Sequence, residues 1–208
     1  MKQNLYKGRF IVFEGLDGSG QSTQVKLLKE YFDRQGLAAI LTKEPTQWTE
    51  AGKKIKDALE GREEIAPLKL QELFCEDRRE HLEKEIIPVL KNGKIVVCDR
   101  YFFSTLAFGG INVPIEKLKI LNQDFLYPDM IFYLQVRPEV CVERINQRGK
   151  GVKFFEKLEK LKKVAANYAE LAKKFQGVKV LNGEKKIKEI HQEVLMTVKK
   201  LLEEEVKK

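Results

Sequence analysis

The segment Gly15-Leu16-Asp17-Gly18-Ser19-Gly20-Gln21-Ser22-Thr23 has the residue types and spacing to hold the phosphates of a nucleotide. Its pattern, Gly15-x4-Gly20-x-Ser22, follows an apolar run and precedes a segment rich in Lys, Leu and Gln. Glycines let successive backbone N–H groups turn inward around an anion. A helix beginning near Gln21 aims the positive end of its dipole at the same place. Ser22 stands where a hydroxyl ligates Mg²⁺ on the β- and γ-phosphates. This is the layout of a P-loop with one substitution, because Gln21 occupies the position of the usual lysine. An amide donates a hydrogen bond but carries no charge. Charge at the transferring phosphate must therefore come from elsewhere, or catalysis is weakened. Asp99, at the end of the run Ile95-Val96-Val97-Cys98, could hold Mg²⁺ directly or through water, or could simply cap a helix.

The elements that must position these groups follow from hydrophobic pattern. Arg9–Glu14, Ala38–Thr42, Ile95–Asp99, Met130–Val136 and Val178–Leu181 are near-continuous apolar runs, as expected of strands covered on both faces. Helical spacing occupies Ser22–Gln35, stopped by Gly36, and Leu68–Lys91, which carries Pro88 and is stopped by Asn92-Gly93. Pro138–Gln147 begins with Pro at a first helical position. Near the end, Ile187, Ile190, Val194, Val198 and Leu201 make one apolar stripe. Strands alternating with helices predict βαβ units and a parallel sheet. A carboxylate at a strand tip, such as Asp99, then lies at the ligand-binding edge.

A length of 208 residues suits one α/β domain over 1–208. No apolar stretch is long enough to span a membrane, and the short polar start leads us to expect a cytoplasmic protein. Cys75, Cys98 and Cys141 lack zinc-like spacing and are expected to be reduced. The net charge of +8 would suit a polyanion. Its lysines alternate with glutamates, however, as in a solvated surface, and no basic-aromatic ribbon supports nucleic-acid binding.

Four further stretches give the chain a more specific character: Thr42-Lys43-Glu44-Pro45-Thr46, the run from Leu73 to Leu82 containing Phe74, Arg78 and His81, Asp99-Arg100-Tyr101-Phe102-Phe103-Ser104-Thr105, and Tyr127-Pro128-Asp129. Together with the P-loop they resemble the thymidylate kinase family, in order and spacing, from Phe10 to about Val194. The resemblance implies a three-layer P-loop kinase fold with a five-stranded parallel sheet flanked by helices. It implies transfer of the ATP γ-phosphoryl group to dTMP with Mg²⁺, and a homodimer. The P-loop is 15–23, the acceptor-binding region about 43–82 and a lid about 144–155.

By the same resemblance, Phe74 stacks on thymine, Arg78 hydrogen-bonds the base, and Thr105 lies beside it. Tyr101 packs against the sugar and Asp17 contacts the 3′-hydroxyl. Arg100 grips the acceptor phosphate, with Glu44 near that phosphate and the metal. The loop contains no arginine, so the chain resembles the form whose catalytic arginine comes from the lid. Arg148 is then the transition-state arginine and Arg144 stacks near adenine. His81 is expected to be a helix-surface or packing residue rather than a base.

The sequence departs from the family pattern at four places. Gln21 replaces the lysine; Lys43 and Lys56, the latter expected to contact dTMP, replace arginines; Gly109 replaces a side chain that often bonds the thymine edge. Arg148, Lys150 or Lys153 could supply the missing charge. Gly109 leaves base selectivity resting on Arg78 and Phe74. The alternatives are a catalytically weak nucleotide-binding homologue, which Gln21 would explain, or a kinase for another small acceptor. Trp48 has no evident role.

Overall fold

The structure, a computed structural model, describes residues 1–147 and 154–203. Five parallel strands, β1 (Phe10–Gly15), β2 (Ala39–Lys43), β3 (Ile95–Asp99), β4 (Met130–Gln135) and β5 (Val178–Asn182), form one sheet in the order β2-β3-β1-β4-β5. Each lies within a residue of its expected place. The helices are α1 (Gln21–Arg34), α2 (Glu50–Leu59), α3 (Pro67–His81), α4 (Ile87–Lys91), α5 (Phe102–Gly109), α6 (Ile115–Asn122), α7 (Pro138–Asn146), α8 (Phe154–Lys174) and α9 (Ile187–Glu203).

Strand side chains alternate between two cores. Ile11 and Phe13 join Val25, Leu28 and Phe32 of α1 and Ile190, Val194 and Val198 of α9. Phe10 and Val12 face the opposite cluster, which takes residues from α3, α5, α6, α7 and α8. Three layers result, as expected of the α/β class. The stripe on α9 is narrower than its sequence pattern, because Ile187 is exposed at the helix start.

The expected helix over 68–91 is broken into three parts. A π turn, Leu82–Ile86, separates α3 from α4, and the N–H of Ile87 bonds the carbonyl of Leu82, five residues back. Pro88 explains it: Pro has no N–H to give an α-helical carbonyl and its ring crowds one. The widened turn just ahead accommodates both. Four helices, α2, α5, α6 and the full length of α8, carry no assignment in the sequence pattern above.

Register sets the site. Phe13 pairs with Asp99 and Asp99 with Lys43, so the carboxyl ends of β1, β2 and β3 finish side by side. Strand order reverses at β1, where ligands bind in sheets of this kind.

Candidate active site

β1 runs into the loop and α1 emerges from it. Gly18 and Gly20 have φ of 86° and 95°, a region side chains disfavour. A Cβ on Gly18 would also come within 2.6 Å of the Cys141 carbonyl. Gly20 caps α1 with no side-chain hydrogen bond, so the first-turn N–H groups stay open for an anion. Arg144 braces the loop from behind: its guanidinium donates to the carbonyls of Gly183 (3.1 Å), Ser19 (3.4 Å) and Gly18 (3.5 Å). Gln21 is buried beside Gly15, and its Oε1 has no partner. The amide is tucked under the loop.

Ser22 Oγ donates to Asp99 Oδ2 at 2.5 Å, while Asp99 Oδ1 is buried without a partner. A hydroxyl beside an under-used carboxylate at an anion-binding loop fits Mg²⁺, which takes one or two protein oxygens and completes its shell with phosphates and water. Among the described residues, no cluster of three or more His, Cys, Asp or Glu could cage a metal ion.

Arg100 follows β3 with φ of 73°, the only described non-glycine residue at positive φ. Such a backbone costs on the order of 1–3 kcal/mol. Its N–H bonds the Phe13 carbonyl at 2.9 Å, and its guanidinium donates to the carbonyl of Gly15 (3.0 Å), Ser104 Oγ (3.1 Å) and Asp17 Oδ1 (2.8 Å). Burial pulls the pKa of Arg100 down, but Tyr168, Asp17, Glu14 and Asp99 raise it on balance, so its charge is permanent.

Behind Arg100 lies Glu14, fully buried in β1. It accepts from the N–H of Tyr101 (2.8 Å), Ser104 Oγ (2.6 Å) and Tyr168 Oη (2.9 Å). Burial pushes its carboxyl up to about 7, against those bonds and Arg100, which pull it down. Sequence reasoning gave Glu14 no role. The signal was available, since a carboxylate inside an apolar strand is rare unless paired.

Two cavities meet at this arginine. One, about 430 Å³, follows the loop past Ser22, Lys43 and Asp99. The other, about 340 Å³ and mostly apolar, opens between the loop, α3 and α5 and is lined by Phe74, Arg78, Tyr101, Thr105 and Gly109 among others. Asp17, Glu44 and Arg100 line both.

Arg78 is almost wholly buried and already engaged. Its Nε and Nη2 reach Glu44 Oε2 at 2.8 and 2.7 Å, Nη1 donates to Asn122 Oδ1, and Nη2 donates to Thr105 Oγ1 at 3.1 Å. Its guanidinium lies 4.9 Å from the Tyr101 ring centre. Glu44 is engaged as well: one oxygen serves Arg78 and the other lies 3.2 Å from His81 Nδ1. His81 is a packing residue, buried, with Nε2 2.7 Å from Thr42 Oγ1 and 3.3 Å from Glu85. Asn122 gave no sequence signal, because nothing local marks a contact across 44 positions.

Lys56 is exposed on α2 and lines neither cavity. Its neighbour Ile55 packs inward against α3, and a helix turns the next side chain about 100° away. Trp48 is 45% exposed, edge-on to His81 with Lys84 over its ring. Arg148, Lys150 and Lys153 lie outside the described residues, as does much of the expected lid.

The thymidylate kinase family model matches residues 13–194. A probable thymidylate kinase of Pyrococcus abyssi is 37% identical over 199 residues, covering 93% of this chain and 97% of that protein. One from Thermococcus kodakarensis is 38% identical over 205 residues, covering 94% and 100%. The thymidylate kinase of Desulfotalea psychrophila is 38% identical over 197 residues, covering 94% and 96%.

Proposed function

This chain belongs to the thymidylate kinase family, and from that premise we propose how its residues carry the reaction. The enzyme moves the γ-phosphoryl group of ATP to dTMP, forming dTDP and ADP. The relatives give no support to a weak nucleotide-binding homologue, since their names are those of kinases.

The triphosphate lies along the loop from Gly15 to Thr23, held by backbone N–H groups and the start of α1. Adenine sits beside Arg144, in the hollow of about 170 Å³ that Arg144 shares with Thr23, Gly183 and Lys185. Ser22 and Asp99 would hold Mg²⁺ together with the phosphates, and the ion would supply positive charge there. In the second cavity dTMP stacks its base on Phe74, with Arg78 and Thr105 at the base edge. Tyr101 packs on the sugar and Asp17 takes the 3′-hydroxyl.

The observation that carries this reading is the placing of Asp17 and Arg100 where the two cavities join. Arg100 faces the acceptor phosphate from there with its backbone, its side chain and its charge all fixed. Transfer between phosphates needs little covalent help from a protein; positioning and charge supply most of the rate. Glu44 acts at one remove, by holding Arg78. Arg148 is the transition-state arginine on the strength of the resemblance, and with Lys150 or Lys153 it replaces the charge absent at Gln21. The same resemblance supports a homodimer, and ATP and dTMP as substrates are consistent with a cytoplasmic reaction. Among the described residues no helix is long and apolar enough to cross a membrane.

ADP release measured across a panel of nucleoside monophosphates, with ATP and Mg²⁺, tests the reading. The fastest turnover is expected with dTMP, and a faster purine acceptor would overturn it.

A further inference from the structure

Asn112, Lys160 and Gln71 line the acceptor cavity without a role above, and Gln71 is the buried one that shares a helix with Phe74 and Arg78. Gln71, on α3, stands three residues before Phe74 and seven before Arg78, so the three share a helix face. It is 7% exposed, lines the cavity, and its Oε1 has no hydrogen-bond partner. A buried acceptor left unpaired is uncommon; this one rests against Gly109 with almost no exposed surface, and a half-turn of the amide about its last bond would bring the oxygen to the cavity face. The backbone opposite is Gly109, where an added Cβ would stand 2.7 Å from both Cδ and Oε1 of Gln71. Glycine at 109 therefore makes the seat in which this amide rests.

Hydrogen-bond arithmetic shows what the amide can read. Arg78 has donors only, and those already used go to Glu44, Asn122 and Thr105. The two carboxylates at the cavity are taken, Glu44 by Arg78 and His81, Asp17 by Arg100. Among the acceptors that remain, the Gln71 amide is the one on the same helix face as Phe74 and Arg78, where a stacked base presents its ring N–H. The amide nitrogen can donate to the adjoining ring carbonyl. We infer that Gln71 reads the imide edge of the pyrimidine, N3–H with its neighbouring carbonyl, and that Gly109 exists to seat it. The inference rests on the reading of this cavity as the dTMP site. Base selectivity then depends on Gln71 as well as on Arg78 and Phe74, and the short side chain at 109 is a relocation of the reading group rather than its loss. Thymine and uracil carry that edge. Cytosine lacks N3–H and offers an amino group where Arg78 presents donors.

The test compares Kd without ATP, and kcat/KM with it, for dTMP, dUMP and dCMP in the parent enzyme, in Gln71→Leu and in Gly109→Ala. Gln71→Leu is expected to weaken dTMP and dUMP together, roughly 10- to 100-fold and chiefly in Kd and KM, while dCMP changes less than about threefold. Gly109→Ala, which displaces the amide without removing it, should narrow the dTMP/dCMP ratio in the same direction. A ratio unchanged in both variants, or equal losses for dTMP and dCMP, overturns the inference. If the parent enzyme binds dTMP with this Gln71-dependent preference yet forms no dTDP, the inference stands and the kinase reading falls.

Discussion

Glu44 Oε2 takes a hydrogen bond from Arg78 Nε at 2.8 Å and lies 2.7 Å from Nη2 of the same guanidinium, in a setting where both side chains are at most 2% exposed. The charges therefore balance without help from water. Breaking such a pair leaves an uncompensated buried charge, which costs about 3–5 kcal/mol. Glu44→Gln should lower unfolding stability by that order in a denaturant titration and raise KM for dTMP more than KM for ATP. A variant with unchanged stability would mean that Arg78 draws its balance from elsewhere.

Much of this arrangement could be read from the chain. The five strands were legible because each is a compact apolar run bounded by turn residues, and the loop because its glycines have a fixed spacing. Phe74 and Arg78 were legible as one helix face, and Asp99 as a strand tip. What escaped detection depends on distance. That Glu44 holds Arg78 depends on a contact across 34 positions. The π turn depends on how Pro88 is absorbed in three dimensions. Gly109 read as a missing contact because the side chain filling its space comes from another helix. The short helices α2, α5 and α6 show too few turns for periodicity to single them out.

Glu14 and His81 each contribute to the pH dependence of stability, and both act in the same direction. Glu14 has its folded pKa raised from 4.5 to about 7 by burial. For His81, burial pulls the pKa down, but the hydrogen bond and charge of Glu44, with Glu85 and Asp77, raise it on balance above 6.5. A raised folded pKa means the native state binds the extra proton, so the contribution is complete below the unfolded value and is lost as pH rises through the folded one. Stability should fall between about pH 4.5 and 7 through Glu14, and above 6.5 through His81. Glu14→Gln should flatten the first slope and His81→Gln the second, in melts taken across pH. Slopes identical to the parent in both variants would contradict this.

The Ser22–Asp99 pair should reveal itself in the metal requirement. Asp99→Asn removes charge beside the phosphates while keeping the shape. It should shift the Mg²⁺ concentration for half-maximal rate upward at least several-fold and lower kcat by about 10²-fold. Ser22→Ala should move the Mg²⁺ midpoint in the same direction. A Mg²⁺ titration that overlays the parent curve would remove both residues from the metal site.

If the charge absent at Gln21 is supplied by Arg148, then Arg148→Ala should lower kcat by at least about 10²–10³ with little change in KM for dTMP. Gln21→Lys in that background should restore part of the loss. An unchanged kcat in Arg148→Ala would exclude it as the source.

The central claim, that the terminal phosphoryl group of ATP passes directly to dTMP at the junction marked by Asp17 and Arg100, is best tested by single-turnover transfer from γ-labelled ATP with the enzyme in excess. We expect the label to appear in dTDP one-for-one with ADP, and to be lost from dTDP in Arg100→Ala. Label recovered as inorganic phosphate with dTMP bound, or as dTDP at the parent rate in Arg100→Ala, would contradict it.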